Sequence, residues 1–171
     1  IGEVGKMDTN NTIPSKSYKI DPVMNYVFLA TYMIYKRSKF TEFLIIKHFN
    51  YPTITELSTT NKPEFLKMMI DDVFKQTNNV ASLKPFLQSK RMKELKEIIH
   101  QEVSVSHKRV VLNVRIDETE RQRIKMLAKD VETVGEVIEI AIAHFVSNCP
   151  EKLFDVITFA LISTIKAEQT K

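Results

Sequence analysis

The spacing of apolar residues changes period twice in the second half of the chain. From Arg109 to Ile116 the even positions Val110, Leu112, Val114 and Ile116 are aliphatic, whereas the odd positions are Arg109, Val111, Asn113 and Arg115. Period-two alternation predicts a strand with one apolar face and one face carrying an amide and two guanidiniums. The period then becomes helical. Asp117 is placed to cap a helix from Glu118, with Glu120 adding negative charge near its positive end. Ile124, Leu127, Ala128 and Val131 follow at i, i+3, i+4 and i+7, one apolar stripe. Thr133-Val134-Gly135-Glu136 has the spacing of a capping box, and Val137, Ile138, Ala141, Ile142 and Phe145 line one face of the helix it opens.

The rest of the chain reads as helices. Asp21-Pro22 is a cap followed by proline at the first helical position, and predicts a helix running to about His48. Its richest apolar part, Val23 to Tyr35, is too short for a membrane span and is assigned to a core. Tyr51-Pro52 ends that helix, and a Ser/Thr/Asn-rich connection leads to Asn61. Pro63 opens a second helix to about Gln76, with Phe65, Leu66, Met69, Ile70, Val73 and Phe74 as its apolar face. A third is expected from about Ser82 to Glu102. After Asn148-Cys149-Pro150, a helix from Glu151 to about Lys166 is apolar around much of its circumference, which predicts burial of more than one face. Domain packing, a dimer contact or a partner protein would each supply that burial. No internal repeat is evident. A hinge at Val103 to Lys108 predicts a helical domain over 18–103 and a second domain over 104–171. Residues 1–17 are read as a mobile arm or processing remnant.

A lone strand is not stable in water, and no second convincing strand is apparent. The economical expectation is pairing of Arg109–Ile116 with its own copy across a two-fold axis, an obligate homodimer. Outward Asn113 and Arg115 are the side-chain types that bond adenine and guanine edges bidentately, and a capped helix start suits a phosphate.

These residues resemble the ribbon-helix-helix DNA-binding family of the MetJ, Arc and CopG type. The resemblance lies in Leu112-Asn113-Val114-Arg115-Ile116, in Ile124-x-x-Leu127-Ala128 and in Thr133-x-Gly135-Glu136-x-Ile138-x-x-Ala141, and covers only residues 109–146. It implies a mainly α fold in which an intermolecular two-stranded antiparallel ribbon enters the major groove. It implies base reading by Val111, Asn113 and Arg115, and phosphate contacts by Lys108, Arg109, Thr133, Val134 and Gly135. The implied dimer core is Leu112, Val114, Ile116, Ile124, Leu127, Ile138, Ala141 and Ile142. The family usually has glycine in the turn before the cap, where this chain has Asp130-Val131-Glu132. Gly135 stands where a second small hydroxyl residue is common.

Charge agrees with that placement. Residues 84–129 carry 12 Lys and Arg against 6 Asp and Glu, whereas residues 130–171 carry 3 against 7. Positive charge thus gathers around the strand, as a phosphate-binding face requires. With 171 residues, 43% of them hydrophobic, the chain is long enough for a real core. Only 3 glycines argue against a glycine-rich nucleotide-binding loop. A single cysteine, Cys149, excludes an intramolecular disulfide and fits a reducing cytosol.

No catalytic arrangement is evident, and no cofactor is expected. His100 and His107, like His144 and Cys149, lack zinc-ligand spacing, and His144 is read as a packed or surface histidine. Asp71-Asp72 beside Lys75 is read as a solvated helix face. The expected function is a homodimeric, sequence-specific double-stranded DNA-binding protein of the cytoplasm, of prokaryotic, plasmid or phage origin. A transcriptional or copy-number regulator comes first. A plasmid partition or conjugative relaxosome accessory factor is the alternative within DNA binding. An antitoxin-like protein that sequesters a partner is the third reading, with residues 18–103 or 151–166 as the partner surface.

Overall fold

The computed structural model describes residues 15–37, 62–104, 110–129 and 132–170. The order of elements is β1 (Ser15–Ile20), α1 (Pro22–Arg37), α2 (Lys62–Gln76), a 3-10 helix (Val80–Gln88), α3 (Lys90–Glu102), β2 (Val110–Asp117), α4 (Glu118–Leu127), α5 (Val134–Asn148) and α6 (Glu151–Gln169). The described chain is mainly helical. No helix among the described residues is long and apolar enough to cross a membrane.

The helix starts follow local chemistry. Asp21 Oδ1 accepts from the backbone N–H of Val23 at 2.8 Å. Asp117 caps α4 by accepting from Glu120 N. Thr133 and Glu136 form the complete capping box of α5. Ser89 breaks the helix expected over Ser82–Glu102. Its extended backbone ends the 3-10 helix, which contains Pro85, and its hydroxyl accepts from Met92 N to cap α3. The proline has no N–H to continue an α-helical ladder, and Ser89 supplies a fresh start. At the end of α4, Lys129 takes the left-handed conformation, with φ of 56°. It occupies the helix-terminating position that glycine fills most easily.

The strand β2 finds its partner inside the chain. It pairs antiparallel with β1, with Ser15 opposite Asp117, Ser17 opposite Arg115, Lys19 opposite Val111 and Ile20 opposite Val110. The expected pairing with a second copy is therefore not what completes this ribbon. Ser15–Ser17, assigned from sequence to a mobile arm, belong to β1. The register slips between Ser17 and Lys19, so the extra residues on β2 lie between Val111 and Arg115. The slip is by an even number of residues, so the faces do not exchange. Leu112, Ile116 and Ile20 are all buried, while Lys19 and Arg115 are exposed.

Both strands end alike. Ile20-Asp21-Pro22 and Ile116-Asp117-Glu118 each place a buried isoleucine, then a capping aspartate, then a helix. One chain thus holds two strand–cap–helix units joined by their strands, which is why β2 needs no copy.

A single buried cluster runs from Ile20 to Ile165 and includes residues on both sides of position 104. The two segments expected as separate domains share this core. Its centre is α5, where every residue from Val134 to Val146 except Glu136 is buried. Such a helix must be covered all round; α1, α2, α3, β1 and the 3-10 helix do so. Phe65 of α2 joins α1 to α5, its ring 5.9 Å from Phe28, 4.4 Å from Tyr35 and 6.2 Å from Phe145. Buried Glu139 accepts from Asp21 N at 2.7 Å and ties the β1–α1 junction to α5. The α6 helix buries Leu153, Phe154, Ile157, Leu161 and Ile165 and packs on α1 and α3.

Asp71-Asp72 is not a solvated face. Asp71 accepts from Arg123 at 2.6 Å, and Asp72 is buried with Oδ2 3.2 Å from His144 Nδ1. The His144 ring meets the edge of Phe86 at 5.2 Å, so this histidine is packed. Position sets these roles, because α5 brings His144 to α2 inside the core.

Arg91 closes the C-terminal end of α5, donating to the carbonyls of Val146 at 3.0 Å and Cys149 at 2.6 Å. Cys149 is buried, and burial pushes its thiol up to about 11. Native protein at pH 8 is expected to resist a thiol reagent, with labelling only as fast as the chain opens. Because the folded thiol holds its proton above the unfolded value, this site's contribution to stability is complete below about pH 9. It is then lost as the pH rises towards 11. A pH series of urea melts, comparing wild type with Cys149→Ala, checks this; equal losses between those pH values in both proteins would contradict it.

Candidate nucleic-acid interface

The ribbon leads directly into α4. β2 packs against α1, α2 and α4, and β1 against α5. The buried residues Ile20, Leu112 and Ile116 mark the inner face, and exposed Lys19 and Arg115 mark the outer one. Val111 lies opposite Lys19, and Ser17 opposite Arg115, in the backbone register. The side chains of Val111, Asn113 and Val114 lie outside the described residues, as do Lys108 and Arg109 entirely.

Lys19 is the residue that sequence reading missed. Its signal was weak but present: Ser15–Ile20 alternates, with Tyr18 and Ile20 as the apolar positions, and leads into the Asp21 cap. Tyr18 is half-buried beneath the ribbon, and burial raises its phenol pKa although nearby Arg121 opposes the shift.

Much of the positive charge counted along the sequence is used internally. Arg121 pairs with Glu118 at 3.0 Å. Glu118 also accepts from Gln122, and this hydrogen bond leads the causes that lower its pKa. Arg123 holds Glu120 and Asp71, both at 2.6 Å, and lies over the Phe74 ring. Its hydrogen bond to Glu120 raises its pKa further. Lys84 bonds Glu132 at 2.9 Å, which raises the lysine's pKa. These cations hold parts of the fold together, and on the described part of the ribbon Lys19 and Arg115 are exposed.

The start of α5 is already supplied with acceptors. Thr133 N donates to Glu136 Oε1 at 2.9 Å, and Glu136 N to Thr133 Oγ1 at 3.1 Å. Thr133 itself is exposed, but Val134 and Gly135 are buried. Beside this end Glu132 is buried against Lys84, whose Nζ also lies 4.0 Å from Glu136 Oε2. The capping box thus occupies the N–H groups of Thr133 and Glu136 at this helix start.

Most of the residues expected in a dimer core are buried within the single chain. Leu112, Ile116, Ile124, Ile138, Ala141 and Ile142 are buried within it, and Leu127 is half-buried. Among the described residues, no three His, Cys, Asp or Glu side chains come together as a metal site. No family model, curated protein or solved structure matches the chain.

Proposed function

We propose that this protein binds double-stranded DNA sequence-specifically, inserting its β1–β2 ribbon into the major groove, and acts as a regulator of transcription or copy number. The observation that carries the reading is the exposure of Lys19 and Arg115 on the outer face of a two-stranded antiparallel ribbon whose inner face is buried. The major groove is about 12 Å wide and admits such a ribbon, and Arg or Lys can bond guanine O6 and N7 there. Asn113 lies between Val111 and Arg115 on β2, and by the ribbon-helix-helix resemblance it is a further candidate reader, with adenine as its matching base.

Here the ribbon-helix-helix resemblance takes a single-chain form. A ribbon closed within one chain is a complete reading element, without a dimer. It also contains two dissimilar strands, so the bases read need not be palindromic.

Selection from a randomised duplex pool, followed by titration with Arg115→Ala and Lys19→Ala, tests the proposal. Each substitution is expected to cost about 1–3 kcal/mol at particular base positions. Affinity is expected to fall steeply with salt, with a log–log slope of about −0.9 for each phosphate neutralised. Wild-type-like binding by both variants, or a flat salt response, would overturn the reading.

A further inference from the structure

The outer face of α6 carries a pattern that neither the core nor the ribbon explains. Phe159 is 81% exposed and Ile162 36% exposed, unusual values for large apolar side chains on a helix whose other side is well buried. Exposed Asp155 and Lys166 flank them. The four residues fall at i, i+4, i+7 and i+11, a straight stripe along an α-helix. It points away from the side carrying Leu153, Ile157, Leu161 and Thr164.

The stripe is complementary to itself when reversed. Its midpoint lies between Ala160 and Leu161; Phe159 and Ile162 are equidistant from that point, and so are Asp155 and Lys166. A second α6 laid antiparallel about this point puts each Phe159 beside the other copy's Ile162. It puts each Asp155 beside the other copy's Lys166. Thr158 and Ser163 are related by the same symmetry and supply small side chains next to the apolar pair. A parallel copy would instead set like charges together.

We propose that α6 is a self-association surface whose occupant is the α6 of a second copy, packed antiparallel about a two-fold axis. Isologous contacts of this kind require one patch to complement itself, and the charge order of the stripe meets that requirement. A single helix pair buries less than a standard interface, so the dimer is expected to be weak, on the order of micromolar. This inference does not depend on DNA binding, and its test contains none.

Sedimentation velocity across a concentration series reads the outcome. Wild type is expected to pass from monomer to dimer in the micromolar range. Phe159→Ser and Lys166→Glu are each expected to weaken dimerisation at least tenfold. The reversed double variant Asp155→Lys/Lys166→Glu restores the opposite-sign pairs and is expected to dimerise again. A mixture of Asp155→Lys with Lys166→Glu is expected to form the mixed dimer, in which each pair again has opposite signs. A wild type that stays monomeric throughout would overturn the proposal. So would a dimer indifferent to Phe159→Ser and Lys166→Glu, or a double variant that fails to regain association while its thermal melt matches wild type.

Discussion

A chain beginning at Asp21 is expected to lose cooperative folding. Without β1, β2 is a lone strand with no ladder. Ile20, with none of its surface exposed, leaves a hole at its place opposite Val110 in the ribbon. Loss of the isoleucine burial alone costs about 1.5–3 kcal/mol. The missing Tyr18 packing and the bond from Asp21 N to Glu139, now made by a free terminus, add to it. A domain has only about 5–15 kcal/mol in total. Thermal unfolding followed by circular dichroism should show a broad, non-cooperative melt, or one at much lower temperature. The point variant Ile20→Ala should lose about 2–5 kcal/mol on the same assay. A truncated chain that melts as wild type does would mean that β1 is the dispensable arm its composition suggests.

Phe65→Ala is expected to be the most damaging single substitution in the helical part. Phe65 is fully buried, and its ring meets those of Phe28, Tyr32, Tyr35 and Phe145. Truncation removes the side chain that joins three helices and leaves a cavity that the surrounding tilted rings cannot refill. The expected cost is about 3–5 kcal/mol, a fall of roughly 10 °C in Tm for a chain of this length. Exposed Phe159 provides the comparison, since Phe159→Ala at concentrations where the protein is monomeric should change stability by less than about 0.5 kcal/mol. Urea melts of the two variants check both values. A loss below about 1 kcal/mol for Phe65→Ala would contradict the packing described for α2.

What could be read from sequence was what local chemistry decides. Asp21-Pro22, Asp117 and Thr133-Val134-Gly135-Glu136 start helices because a side chain a few residues away can serve the free N–H groups. The β2 alternation was legible because four aliphatic residues occupy one parity. β1 was not, since Ser15–Ile20 has only two apolar positions and its partner begins 90 residues away, at Val110 opposite Ile20. Missing it made a second copy appear necessary for the ribbon. The break at Ser89 was marked by a good capping residue but hidden by apolar residues on both sides. Asp72 and His144 looked like a surface charge and a lone histidine, because only the packing of α5 against α2 brings them within 3.2 Å. The basic stretch overstated the free charge, since Arg121, Arg123 and Lys84 all face carboxylates in space.

One chain closes its own ribbon through the pairing of β1 with β2. Lys19 and Val111 are directly opposed in the register, at a separation a disulfide can bridge. The variant Lys19→Cys/Val111→Cys, with Cys149→Ala to remove the native thiol, should be oxidised at low protein concentration and run on a non-reducing denaturing gel. The account predicts a monomer-sized band that migrates faster than its reduced form, because the bond closes a large loop within the chain. A disulfide-linked dimer as the main product would show that the ribbon is shared between two copies, and would contradict it.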